Sequence, residues 1–370
     1  MRNGVVTVFL CGDVMLGRGV DQILAHPGDP ELRETSVRDA RTYVKLAERV
    51  NGPIGCPVDF DWPWGDALPV LDRIRPDVRV VNLETSATRS AEFAAGKGVH
   101  YRMNPANLPC LAVGGPDACV LANNHVLDFG RGGLVETLDA LANAGLTAVG
   151  AGRDREQAQR PAMISTDRGT RIVLLAVGMP TAGVPASWAA TSDRAGVDFV
   201  DGPSDAAADR LAARVRRAKR PGDVAIVSIH WGPNWGYGVS RDEARFAHRL
   251  IDLGVDVVHG HSSHHPRPIE VYRGKLILYG CGDFIDDYEG ITGYEEYRDD
   301  LRLLYFASIE PASGELAGLT MVPMQARRLR LHHASSGDRE WIRATLDRVS
   351  RDFGSRVDIQ PGGMLTLRHA

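Results

Sequence analysis

The chain has no Cys-x-x-Cys pair; its five cysteines, Cys11, Cys56, Cys110, Cys119 and Cys281, are scattered and mostly lie in apolar runs. That spacing excludes a cysteine-built zinc site and argues against a disulfide framework, and it suits the reduced, buried thiols of a cytoplasmic protein. Long hydrophobic runs are missing as well. The apolar stretch at 5–10 meets Cys11-Gly12-Asp13 too soon to make a signal or membrane helix, so no membrane segment is expected. Neither sign of charge dominates: 43 Lys and Arg stand against 47 Asp and Glu, interspersed, for a net charge of −4. Nucleic-acid binding shows as a basic face or stripe, so nucleic acid is not an expected partner. The basic cluster from Arg214 to Arg220 ends a helical pattern, where cations suit the carbonyl end of the helix, and reads as a solvated helix terminus. Also absent are the Gly-x-Ser-x-Gly nucleophile elbow, the Walker loop and a dinucleotide glycine fingerprint. The glycine-containing stretch Gly12-Asp13-Val14-Met15-Leu16-Gly17-Arg18 carries an acid where phosphate-cradling loops need bare amides, and so attracts cations.

What is present is an ordinary globular composition, 44% hydrophobic and 24% charged over 370 residues, enough to bury a sizeable core. Short runs rich in β-branched residues predict buried strands at 5–10, 78–81, 118–121, 172–177, 224–229, 255–259 and 276–279. Helical patterns at 132–144, 203–218 and 241–253 alternate with them, which indicates an α/β architecture with mixed sheets. Beyond 309 the pattern changes to hairpin-like pieces at 317–324 and 327–332, a helix at 338–352 and a strand at 364–367. The expected organisation is one large domain over 1–330 with a small α+β appendage, 331–370, packed on it as a cover.

Polar residues gather where the strands end, and open α/β sheets bind ligands beyond the carboxyl ends of their strands. Five apolar runs pass into Gly12-Asp13, Asn82-Leu83-Glu84, Asn123-Asn124-His125, His230 and His259-Gly260-His261. Asp13 and Glu84 each read either as a capping or turn acid or as an oxygen ligand. Asn124 offers a neutral carbonyl ligand, His125 a proton donor beside it, and Asp128 an orienting partner for that imidazole. His230 fits a ligand or a buried structural histidine. His259, His261, His264 and His265 fall within seven residues, a density that imidazole ligation of a borderline metal explains. Two carboxylates, one amide and three histidines suit a pair of Mn²⁺, Fe or Zn²⁺ ions rather than an all-oxygen calcium site. Two ions about 3.5–4 Å apart lower the pKa of a shared water and stabilise entering and leaving oxygens, so hydrolysis is the expected chemistry.

These stretches, with Gly260-His261-Ser262-Ser263-His264 followed by Pro268-Ile269-Glu270-Val271-Tyr272, resemble the poly-γ-glutamate capsule biosynthesis protein CapA family, a branch of the calcineurin-like metallophosphoesterases. The resemblance spans most of 5–330. It implies a four-layer α/β/β/α sandwich with a dinuclear metal site, in which Asp13, Glu84 (bridging), Asn124, His230, His261 and His264 are the ligands and His125 is the acid. Two departures stand out. The broader phosphoesterases place a histidine two residues after the first aspartate, where this chain has Met15, and a thioether is a poor donor to hard cations. Capsule proteins of the family usually carry an N-terminal membrane segment, which is not expected here.

Arg18 and Arg102 are candidate clamps for a substrate phosphate or carboxylate, each with a surface or pairing role as the alternative. Trp231, Trp235 and Tyr237 are candidate pocket walls, and Asp283 a support for a ligand histidine. The leading expectation is a metal-dependent hydrolase acting on a phosphoester or a γ-glutamyl or other amide bond of a small or short peptide substrate. The alternative is a poly-γ-glutamate assembly or binding component that keeps the fold without turnover.

Overall fold

The computed structural model describes residues 4–369. The chain first lays down β1 (Val6–Val14), β2 (Val78–Leu83), β3 (Ala118–Val120) and β4 (Ala148–Val149), parallel neighbours in one sheet. It then builds a second sheet from β5 (Ala162–Ser165), β6 (Arg171–Gly178), β7 (Val224–His230), β8 (Val257–His261), β9 (Ile269–Tyr272) and β10 (Lys275–Leu278). Their order is β9-β10-β8-β7-β6-β5, parallel except at the two edges. The chain returns to the first sheet with β11 (Asp283–Ile285), β12 (Leu301–Ile309), β13 (Leu316–Ala326), β14 (Leu331–His333), β15 (Ser355–Ile359) and β16 (Leu365–His369). That sheet then reads β15-β16-β13-β12-β1-β2-β3-β4, with β11 also on β1 and β14 on β13.

Period-two alternation along the strands sets the layers. On β1, Val6, Val8 and Leu10 face Ile172, Leu174, Ile226 and Val257 of the other sheet. Phe9 and Cys11 point the opposite way, into a core shared with α1 (Arg41–Asn51), α2 (Ala67–Ile74) and α3 (Gly130–Asn143). The far face of the second sheet, Leu175, Val227 and Ile229, packs on α4 (Asp205–Ala218) and α5 (Arg241–Asp252) through Leu211, Val215, Phe246 and Leu250. Three cores between four layers make the expected α/β/β/α sandwich. Local signals place the helices: Ser204 caps α4, and Ser240 with Glu243 forms a capping box on α5.

The C-terminal segment is continuous with the sandwich. β16 pairs with β13, and Leu346 of α6 (Ser336–Ser350) and Leu365 of β16 are fully buried in the core between the sheets. Strands β14, β15 and β16 add to the first sheet and α6 packs on its core, and the last residue of the expected appendage, Ala370, falls outside the described residues. Leu346→Ala and Leu365→Ala should each cost about 2–5 kcal/mol and lower the urea midpoint of one shared unfolding transition. A separate early transition for the C-terminal segment would show instead that it folds as an appendage.

Candidate metal centre

The parallel strands of both sheets end on the same side, and their last residues meet there. Asp13 closes β1, and its carboxylate accepts from Asn82 Nδ2 at 2.6 Å and from the Ser262 amide at 3.1 Å. Asn82 in turn accepts from Asn123 Nδ2 at 3.1 Å, and Asn123 Oδ1 receives the backbone amides of His125 and Val126, so side-chain amides tie the ends of β1, β2 and β3 together. From the second sheet, the Nδ1 atoms of His230 and His261 face each other at 2.8 Å, His230 Nε2 is 3.0 Å from Asn124 Oδ1, and His261 Nε2 is 2.9 Å from Ser228 Oγ. His264 Nδ1 is 3.0 Å from Asp283 Oδ1, and His264 Nε2 lies 3.1 Å from the Asn234 amide. Glu84 Oε1 lies between His125 Nε2, at 3.6 Å, and His230 Nε2, at 3.7 Å.

Two sets of donor atoms converge to within 4.8 Å: Asp13 with His230 and His261, and Asp13 with His264 and Asp283. All of these side chains are buried, and Glu84 Oε2 and Asp283 Oδ2 are buried with no hydrogen-bond partner. A buried carboxylate oxygen without a donor asks for a cation or a proton. Protons are what the metal-free centre uses. Burial first, and then the charge of Asp283, push Asp13 from 3.8 up to about 7, while hydrogen bonds from Glu84 and Asn82 pull the other way. Burial and Asp13 likewise hold Glu84 well above the usual carboxylate range. Burial keeps His230 and His261 far below their usual range, so both are neutral imidazoles. Burial also opposes the His264 cation, but Asp283 outweighs it and raises that histidine. Neutral imidazoles beside carboxylates with unpartnered oxygens are a donor set that fits divalent metal.

His125 stands at the rim of this set. Its Nδ1 is 2.6 Å from Asp128 Oδ2, and the edge of the Tyr101 ring packs on it with centroids 4.4 Å apart. Burial, aided by Lys97 and resisted by Asp128, lowers His125 to about 4. Asp128, despite its burial, is lowered by His125 and Lys97, so it is ionised and accepts the Nδ1 proton. Lys97 reaches in from the loop before β-paired Arg102 to contact Asp128, Asn124 O and His125 Nδ1.

Of the residues singled out in the sequence, Asp13, Glu84, Asn124, His125, Asp128, His230, His261 and His264 are brought together here. Three are placed otherwise. Arg18 is 3% exposed and committed to Glu34 and Asp287 between the rings of Tyr43 and Tyr101, so it clamps the fold and not a substrate. Arg102 donates to the carbonyls of Ser90 and Asp29 over the Phe129 ring, leaving no free fork. Trp231 is fully buried, donates to Tyr279 O and packs on Phe246 in the core, so it walls no pocket. Trp235 does stand near the centre, 5.2 Å from the His264 ring and stacked on Tyr294. Cys56 is exposed, unlike the other four thiols. Lys97 had no sequence signal, lying in a loop without periodicity. Asp283 had one: Cys-Gly-Asp occurs at both 11–13 and 281–283.

A model of the family described as "Bacterial capsule synthesis protein PGA_cap" matches residues 7–288. The chain is 56% identical over 364 residues to the "Probable polyglutamine synthesis accessory protein" of Mycobacterium tuberculosis (strain ATCC 25618 / H37Rv), covering 98% of this chain and 96% of that one. It is 28% identical over 304 residues to the "PGA biosynthesis protein CapA" of Bacillus subtilis (strain 168), covering 82% and 68%. Among solved structures, the 5'-nucleotidase precursor from Thermus thermophilus gives a TM-score of 0.47 at 15% identity, over 93% of this chain and 58% of that chain.

The Asp13 shift has a definite sign. Unfolded, this carboxyl loses its proton near 3.8, but folded it keeps it to about 7, so raising the pH across that window removes stability from the metal-free protein. A metal ion bound at Asp13 would displace the same proton. The melting temperature of chelator-treated protein should therefore fall between about pH 4 and pH 7, and the Kd for Mn²⁺ should tighten about tenfold per unit up to pH 7. Titration calorimetry in buffers of different ionisation enthalpy measures both the affinity and the released proton; a pH-independent Kd would rule out proton exchange at Asp13.

Proposed function

Because the chain belongs to the bacterial capsule synthesis protein PGA_cap family, we propose that it is a metal-dependent hydrolase that cuts a γ-glutamyl or other amide bond, or a phosphoester, in support of glutamyl-polymer synthesis. The observation that carries this reading is the convergence of Asp13 with His230 and His261, and with His264 and Asp283, together with the buried Glu84 and Asp283 oxygens that lack partners. Asp13, Glu84, Asn124, His230, His261 and His264 would hold one or two divalent ions, Mn²⁺, Fe or Zn²⁺. Bound there, such ions supply Lewis acidity and lower the pKa of water.

The remaining work falls to the chain's own groups. Asp128 takes the Nδ1 proton of His125 and fixes the ring, which leaves Nε2 as the atom that exchanges protons. With His125 lowered to about 4, its imidazolium is scarce at neutral pH and gives up its Nε2 proton readily to a departing nitrogen or oxygen. Tyr101, whose amide donates to Asp128 and whose ring packs on His125, holds the pair against the wall of the site. Residence in the cytoplasm belongs to the same proposal, supported by five free cysteines; among the described residues no helix is long and apolar enough to cross a membrane.

The names of the relatives favour one alternative, an accessory component that binds a glutamyl chain without cutting it. Metal-loaded wild type, His125→Ala and Glu84→Gln should be assayed on oligo-γ-glutamate and on phosphodiesters. Hydrolysis predicts that His125→Ala loses about 10²–10⁴-fold in kcat while keeping its metal, and that Glu84→Gln loses metal and turnover together. Tight oligoglutamate binding with no metal-dependent turnover by wild type would establish the accessory role instead.

A further inference from the structure

The two Cys-Gly-Asp tripeptides lie side by side. β1 and β11 run parallel with Asp13 opposite Asp283, and the Asp13 amide donates to Gly282 O at 3.1 Å. The approach is so close that a Cβ on Gly12 would fall 1.5 Å from Gly282 O, so only glycine can stand there. The crossing delivers two carboxylates, 0% and 1% exposed, to one spot. Parallel placement of like charges out of water is unfavourable unless a proton or a cation joins them. His264 occupies Asp283 Oδ1 only, and Oδ2 has no partner. A carboxylate present only to orient His264 would not require that second oxygen to be turned into a buried, donor-free place beside Asp13.

We propose that Asp283 is itself a metal ligand, and that with Asp13 and His264 it forms an oxygen-rich position for a hard divalent cation, Mn²⁺ or Mg²⁺, distinct from the imidazole-rich position at His230 and His261. Two carboxylates and one imidazole converge at the first position, and two imidazoles and one carboxylate at the second. Oxygen donors suit Mg²⁺ and Mn²⁺, while imidazole suits Zn²⁺ and Fe²⁺, so the two positions differ in the ion they prefer. This inference rests on the reading that the centre binds metal at all.

The test uses the full chain, wild type and Asp283→Asn and Asp283→Ala, equilibrated with Mn²⁺ and Zn²⁺ separately and together. Bound metal is read by elemental analysis and Mn²⁺ by electron paramagnetic resonance. The amide introduced by Asp283→Asn would keep an oxygen to accept from His264, so a purely orienting role predicts less than about a threefold change in Mn²⁺ affinity for Asp283→Asn and about 10–100-fold for Asp283→Ala. Ligation predicts a loss of about 100-fold or more in both, with Zn²⁺ retained. A crystal structure of Mn²⁺-loaded wild type at the manganese edge needs no variant: an Asp283 oxygen within about 2.0–2.6 Å of an ion supports the proposal. Metal bound at Asp13, His230 and His261 with Asp283 touching only His264 overturns it and leaves the hydrolase reading standing. Wild type that holds neither metal overturns both.

Discussion

The arrangement of this centre follows from one constraint, the burial of the Asp13, Glu84 and Asp283 carboxyl groups within one crevice. In a low-dielectric site three such charges cannot stand together uncompensated. Without metal, the compensation is protonic: Asp13 holds a proton to about pH 7, Glu84 is held well above the usual carboxylate range, and Asp286 is likewise held to about 7, chiefly by its burial. On the proposed reading, metal would take the same oxygens as ligands, and the neutral His230 and His261 would join them without first losing a proton. The fold would then have two ways to satisfy one set of atoms, with pH and metal supply competing for it.

Such a set works only if it is held still in both states. The Asn82 and Asn123 amides run from the Asp13 carboxylate to the backbone of His125, so the acid proposed to hold metal and the histidine proposed to exchange protons share one scaffold. Ser228 bridges His259 and His261, and His259 Nε2 reaches Cys11 O at 2.8 Å in the other sheet. That contact locks the two sheets at the point where their strand ends meet. The antiparallel strands β12, β13 and β16, which carry no site residue, close the core between the sheets and keep this register.

Much of this was legible in the sequence because it obeys local rules. Buried parallel strands announce themselves as β-branched runs, and a polar residue ending such a run has few places to go except the crevice; Asp13, Glu84, His230 and His261 were readable on that ground. Strand β12 is not among the expected strands, although the apolar run Leu301–Ile309 is closed by the turn signal Pro311-Ala312-Ser313-Gly314. Position 15 is instructive. Met15 lacks the nitrogen that the family resemblance leads one to expect, and the sequence alone suggested a weakened site. Asp283 stands opposite Asp13 only because two distant strands cross at Gly12 and Gly282, and no local pattern reports a pairing across 270 residues.

The arginines show the opposite failure, and its cause bears on substrate binding. In one dimension Arg18 and Arg102 qualify equally as anion clamps or as surface or pairing arginines, because a guanidinium near a metal loop is free to be either. In three, Arg18 sits between Asp287 and Glu34, and Tyr101, under it, hydrogen-bonds through its hydroxyl to that of Tyr288. Tyr101 packs on His125 and Tyr288 on His264, so the buried cation steadies both walls of the centre and does not face its opening. Lys97, partly exposed at the rim, is already matched to Asp128. On the proposed hydrolase reading, attraction for an anionic glutamyl or phosphate group would come from the ions: three carboxylates make the ionised centre negative, and two divalent cations would reverse that sign. Metal loading would govern not only the chemistry at the centre but whether an anionic substrate is drawn to it.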